Sequence, residues 1–103
     1  MSHVVTVLEA HVAPERAADL QAAYAETGAG PFPPGFVRSS LLQLASDATQ
    51  WRIETVWQSH DAIAAMRGAG KPRGVQIFEA AGANPSLAIY DTIAILEPPI
   101  QGV

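Results

Sequence analysis

A chain of 103 residues falls near the lower part of the usual size range for one domain and leaves little room for a second core. Hydrophobic residues make up 49% and charged residues 16%, which excludes intrinsic disorder; ordinary domains carry roughly 25% charge, so the low share implies that a partner covers some apolar surface. The formal net charge is −4, the six basic residues are scattered except around 67–73, and there is no cysteine, so a nucleic-acid-binding stripe, disulfides, thiolate zinc sites and cysteine nucleophiles are all excluded. The opening MSHVVTVLEAHVAPER lacks a basic leader and meets Glu9 before any long apolar run, so neither a signal peptide nor a membrane span is expected, and a cytoplasmic location follows by default.

Residues 3–12 alternate as a strand, with Val4, Thr6, Leu8, Ala10 and Val12 on one face and Val5, Val7, Glu9 and His11 on the other. Pro14 suits the first turn of a helix over 14–27, an alanine-rich stretch that stops at Gly28. GAGPFPPG (28–35) is a breaker cluster read as an ordered loop. FVRSSLLQLA (36–45) and WRIETVWQ (51–58), joined by the polar SDATQ, read as an antiparallel hairpin. Ser59 is placed to cap a helix carrying Ile63 and Met66, which stops in GAGKPRG (68–74). A second helical piece, 75–82, presents Val75, Ile77 and Phe78 inward, and SLAIYDTIAIL (86–96) is the last strand. EPPIQGV (97–103) is a tail.

The order β-α-β-β-α-β predicts an α+β fold of ferredoxin-like topology: one domain over 1–103, its core about 3–96, with a four-stranded antiparallel sheet and the helices on one face. The helix-covered face takes Leu8, Val12, Leu42, Leu44, Trp51, Ile53, Trp57, Leu87, Ile89, Ile93 and Ile95. The opposite face takes Val5, Val7, Glu9, His11, Val37, Ser39, Leu41, Gln43, Arg52, Glu54, Val56, Ala88, Tyr90 and Thr92. That second face is too apolar for bare water and too polar for a dry core, which predicts a homodimer closing a shared barrel. Asp91 falls on the apolar face and calls for a bulge to shift the register.

The stretch PPGFVRSSLLQLASDATQWRIETVWQSHDAIAAM resembles the antibiotic biosynthesis monooxygenase family of dimeric α/β-barrel proteins, and the resemblance covers roughly 3–96. Its Pro-Gly corner (Pro34, Gly35), the Trp closing the third strand (Trp57), and the polar step into an alanine-rich helix (Ser59, Ala62) match. The resemblance implies oxygenation of aromatic polyketides without metal or flavin, the substrate itself supplying electrons to dioxygen. Haem-degrading relatives use an Asn on the first strand with a Trp and a His on the late helices; here the first strand has no Asn and residues 61–83 hold neither His nor Trp. The aromatic-oxygenating branch is linked to an Asn, a Trp and a Tyr, and the only Asn here is Asn84.

On the second face, His11 is the candidate base for deprotonating a phenol or enol; the competing reading is a histidine at the barrel rim. Tyr90 is a candidate donor to a substrate oxygen or else an interface tyrosine. Arg52 is a candidate enolate stabiliser, or, with Glu54 two residues on along the same strand face, part of a structural ion pair across the interface. Glu9, Ser39, Gln43, Glu54, Trp57 and Phe78 complete the expected substrate-binding set, Trp51 and Trp57 being read first as core and as cavity-lining if the register inverts. Three dispersed histidines give no metal-ligand spacing, and neither GAG (28–30) nor GAGK (68–71) follows a nucleotide-binding pattern, so no cofactor is expected. Three readings compete: a cofactor-independent monooxygenase on a small aromatic ligand, a non-enzymatic metabolite-binding dimer, and a cofactor-free isomerase or cyclase using His11.

Overall fold

The computed structural model describes residues 3–99; the end of the expected tail, 100–103, lies outside them. In chain order the elements are β1 (Val4–His11), a 3-10 turn (Pro14–Arg16) running into α1 (Ala17–Thr27), β2 (Phe36–Gln43), β3 (Gln50–Trp57), α2 (His60–Gly68), α3 (Arg73–Ala80) and β4 (Ser86–Asp91). The strands form one antiparallel sheet in the order β2-β3-β1-β4, the ferredoxin-like arrangement. Local chemistry sets the boundaries. Ser59 accepts a hydrogen bond from the Ala62 backbone N–H at 3.2 Å and so caps α2. Gly35 turns the chain into β2 with φ +83°, and a Cβ there would collide with the Cβ of Ala62, so glycine lets the loop dock against the first turn of α2.

The even positions of β1 and the odd positions of β3 face the helices. Leu8, Ala10, Val12, Trp51 and Ile53 pack with Leu20 of α1 and Ile77 and Phe78 of α3, while Val4 and Trp57 pack with Ile63 of α2 in a second cluster. All three helices therefore cover one face, and Glu9, His11, Arg52, Glu54, Ala88 and Tyr90 fall on the open one, as the alternation predicts.

The face assignment of β2 is corrected. Ser39, Leu41 and Gln43 pair with Thr55, Ile53 and Trp51, which puts them on the helix side, while Leu42 pairs with Arg52 on the open face. A register shift between Phe36 and Arg38 inverts the parity that the sequence predicts. No such shift occurs at Asp91, which pairs in register with Val4 and satisfies its carboxylate with His60 Nε2 at 2.6 Å, so the expected bulge is not needed. The last strand is also shorter than the expected 86–96: hydrogen bonding to β1 ends with the Thr92 N–H on the His3 carbonyl, and Ile93, Ile95 and Leu96 continue exposed. Among the described residues no helix is long and apolar enough to cross a membrane.

Candidate active site

The helices stand off the sheet over part of its area and leave an open cavity of about 930 Å³, within the range of small-molecule sites. Its floor is the helix side of the sheet, with Thr6, Leu8, Ser39, Ile53, Thr55 and Trp57. Its walls come from Tyr24 and Thr27 of α1, Ile63 and Met66 of α2, and Val75 and Ile77 of α3. Gly74 brings the first turn of α3 down onto the floor, since a Cβ at that position would come within 2.6 Å of Leu8 Cδ1.

Two features give the cavity its chemistry. At one end an aromatic train projects from the 28–35 loop: Phe32 stacks on Phe36 with centroids 4.6 Å apart, and Phe36 meets the Trp57 ring edge-on at 5.9 Å. Along the floor runs a strip of hydroxyls. The Trp57 indole N–H donates to Thr6 Oγ1 at 3.0 Å, and the Thr6 hydroxyl donates to the Thr55 carbonyl at 3.5 Å. The Tyr24 hydroxyl donates to Ser39 Oγ at 3.0 Å and Thr55 Oγ1 donates to the same oxygen at 3.3 Å. With both acceptor positions of Ser39 filled, its own proton is left to donate elsewhere, and the side chain lines the cavity. A hydroxyl relay of this kind, in apolar walls, can stabilise a negatively charged substrate oxygen.

Residues 1–71 match the family model for antibiotic biosynthesis monooxygenase. The chain belongs to the antibiotic biosynthesis monooxygenase family. No curated protein matches it. Among solved structures it is similar to SnoaB, described as a cofactor-independent oxygenase from Streptomyces nogalater, at 23% identity and TM-score 0.71, over 95% of this chain and 100% of that one. It is also similar to a Nitrosomonas europaea protein described as a candidate antibiotic biosynthesis monooxygenase, at 18% identity and TM-score 0.70, over 88% of this chain and 90% of the other. A conserved protein from Methanosarcina mazei shares the fold at 15% identity and TM-score 0.64, over 87% and 92%.

In this monooxygenase-family chain the sequence candidates divide between two places. Ser39 and Trp57 line the cavity, Ser39 because the β2 register is inverted. Phe78 is fully buried in the core behind it, and Gln43 donates to the Ala48 carbonyl at 2.9 Å in the hairpin turn. The others lie on the open face, away from the cavity lining. Arg52 bridges Glu9 and Glu54, the latter at 3.1 Å; hydrogen bonds to Glu54 first and Glu9 second hold its guanidinium above its ordinary pKa. His11 sits exposed at the end of β1, its Nδ1 at 2.9 Å from Thr49 Oγ1, which in turn donates to Asp47 at 2.7 Å. The Thr49 side-chain hydrogen bond, then its backbone N–H, holds Asp47 below the usual carboxylate range. Tyr90 is 58% exposed on β4. Phe32, Phe36, Tyr24, Thr6 and Thr55 are cavity residues that the sequence reading missed. A phenylalanine set among prolines in a surface loop was the available signal for Phe32.

Proposed function

We propose that this protein is a cofactor-independent oxygenase of a small, flat, phenolic or polyketide-like substrate, working as a homodimer with one cavity per subunit. Family membership and the shared fold with SnoaB support the reaction class. The observation that carries the substrate class is the pairing of an aromatic train with a hydroxyl strip in one apolar cavity. Ring contacts with Phe36 and Trp57 hold the substrate flat, and the free proton of Ser39 meets its oxygen as that oxygen becomes an enolate or phenolate. Ionisation loads electron density onto the ring carbon that reacts with dioxygen. A substrate methylene is oxidised to a carbonyl: two C–H bonds break, one oxygen atom stays on carbon, and the other leaves as water.

No His, Asp or Glu belongs to the cavity lining among the described residues, so the proton passes to solvent rather than to a buried base. The same observation favours one alternative, a metabolite-binding protein without turnover. Oxygen uptake with hydroxylated anthrones and naphthols separates the two. The oxygenase reading requires uptake that depends on substrate and falls by about tenfold to a hundredfold in Ser39→Ala, whose hydroxyl contacts the charge-bearing oxygen, and by less in Tyr24→Phe, which only orients it. Tight binding without oxygen uptake in the parent protein favours the binding reading.

A further inference from the structure

The distribution of charge around the cavity is lopsided. Four of the six basic residues, Arg38, Arg67, Lys71 and Arg73, line it, Arg38 from a strand position whose side chain shares the open face with Val56, and none of the ten acidic residues does. The other two basic residues are engaged elsewhere, Arg16 with Asp19 at 2.7 Å and Arg52 with Glu9 and Glu54. In a chain of net charge −4, scattered placement would have set acids at this rim at least as often as bases. Not every cation there is free: Lys71 Nζ pairs with Glu79 at 2.9 Å, and Arg73 Nη1 donates to the Pro31 carbonyl at 2.6 Å, which leaves its charge uncompensated. Arg38 and Arg67 have no hydrogen-bond or ion-pair partner among the described residues. The helix α3 adds to the same field. Pro72 caps it without a side-chain acceptor, its first turn carries no acid, and Pro72, Arg73 and Gly74 all line the cavity, so the positive end of the helix opens onto it.

We propose that the cavity takes an aromatic acid, with the ring over the aromatic train and hydroxyl strip and an anionic group at the rim between Arg67, Arg73 and the start of α3. This rests on the oxygenase reading only in placing the ligand in this cavity; the anionic group is a second recognition element, separate from the oxygen that meets Ser39. Guanidinium groups and an uncapped helix start both recognise carboxylate oxygens by charge-assisted hydrogen bonds. The rim also steers anions inward from solution, against the overall negative charge of the molecule.

The test is anaerobic calorimetry with a hydroxynaphthoate, its methyl ester and the parent naphthol, on the full chain and on Arg67→Gln and Arg73→Gln. The acid is expected to bind about tenfold tighter than the ester, the low end for hydrogen bonds to charged groups because the rim is wet. That preference is expected to narrow with added salt and to shrink severalfold in at least one variant, while ester affinity stays unchanged. Equal binding of acid and ester overturns the proposal and leaves the aromatic cavity standing. A preference that survives in both variants overturns it too, by placing the anion elsewhere. If none of the three ligands binds, the cavity itself is wrongly assigned and both readings fall together.

Discussion

Trp51 and Trp57 stand on the same face of β3 and are both buried, yet only Trp57 has a partner for its indole N–H. Trp51 Nε1 is enclosed without a hydrogen bond among the described residues. Replacing either by Phe removes the same ring atoms, so the difference between the two variants isolates the hydrogen bond to Thr6. Trp57→Phe is expected to destabilise the protein by about 1 kcal/mol more than Trp51→Phe, because only the former gives up a satisfied donor. Urea unfolding at one fixed protein concentration measures it, and equal midpoints would show that the Trp57–Thr6 bond contributes nothing. Of the candidate site, Trp57 and Ser39 were legible as residue types that suit a cavity. His11, Arg52 and Tyr90 were singled out because ionisable and phenolic groups on a strand face invite a chemical role. Alternation tells which residues share a face, but not which face the helices leave partly uncovered, since that depends on how far the helices stand off. Arg52 illustrates the cost of that gap: it pairs with Glu54 and with Glu9 of the neighbouring strand inside one chain, whereas the competing reading placed an ion pair across the interface between copies.

At the scale of elements, the helix and strand order was legible throughout, and the failures sit in β2 and β4. FVRSSLLQLA carries apolar residues on both parities, Val37 and Leu41 against Leu42 and Leu44, so no period-2 pattern decides the face. A one-residue irregularity after Phe36 then settles it: Phe36 stays on Trp57 and Ser39 comes under Tyr24. β4 was overread because SLAIYDTIAIL keeps alternating after its partner β1 has run out of length. What fixes the loop before β2 is Gly35. Gly35→Ala forces a left-handed conformation, at about 1–2 kcal/mol, and drives a methyl into Ala62, so a total loss of about 2–4 kcal/mol is expected. Ala62→Gly alone costs up to about 1 kcal/mol from helix propensity. Because it also removes the obstructing Cβ, the double variant is expected to be less destabilised than the sum of the singles by 1 kcal/mol or so, a coupling read from thermal melts. Strict additivity would show that the loop and α2 do not press on each other there.

At the scale of the molecule, the chain is more open than its size requires. A compact monomer of 10.8 kDa exposes about 5,500 Å² by the usual scaling, whereas this chain exposes 6886 Å². Its Cα radius of gyration of 14.9 Å likewise exceeds the roughly 13 Å expected at this length. Exposed apolar side chains stand where a partner would pack. The open sheet face carries Val5, Val56, Leu42 and Tyr90 around the Glu9–Arg52–Glu54 bridge, and Ile93, Ile95 and Leu96 run out beyond the sheet, Leu96 at 98% exposure. A homodimer packed sheet to sheet is therefore expected, sedimenting as two subunits at low micromolar concentration. Val5→Lys places a charge on the open face of an inner strand without touching the helix-side core, so it should yield a monomer that keeps its far-ultraviolet circular dichroism but melts lower. The melting temperature of the parent should rise with protein concentration, as association stabilises the folded subunit by mass action, and that of the variant should not. A parent that sediments as a monomer, with a concentration-independent melt, would mean that this face is tolerated bare and that the ion-paired bridge across its centre suffices to hold it in water.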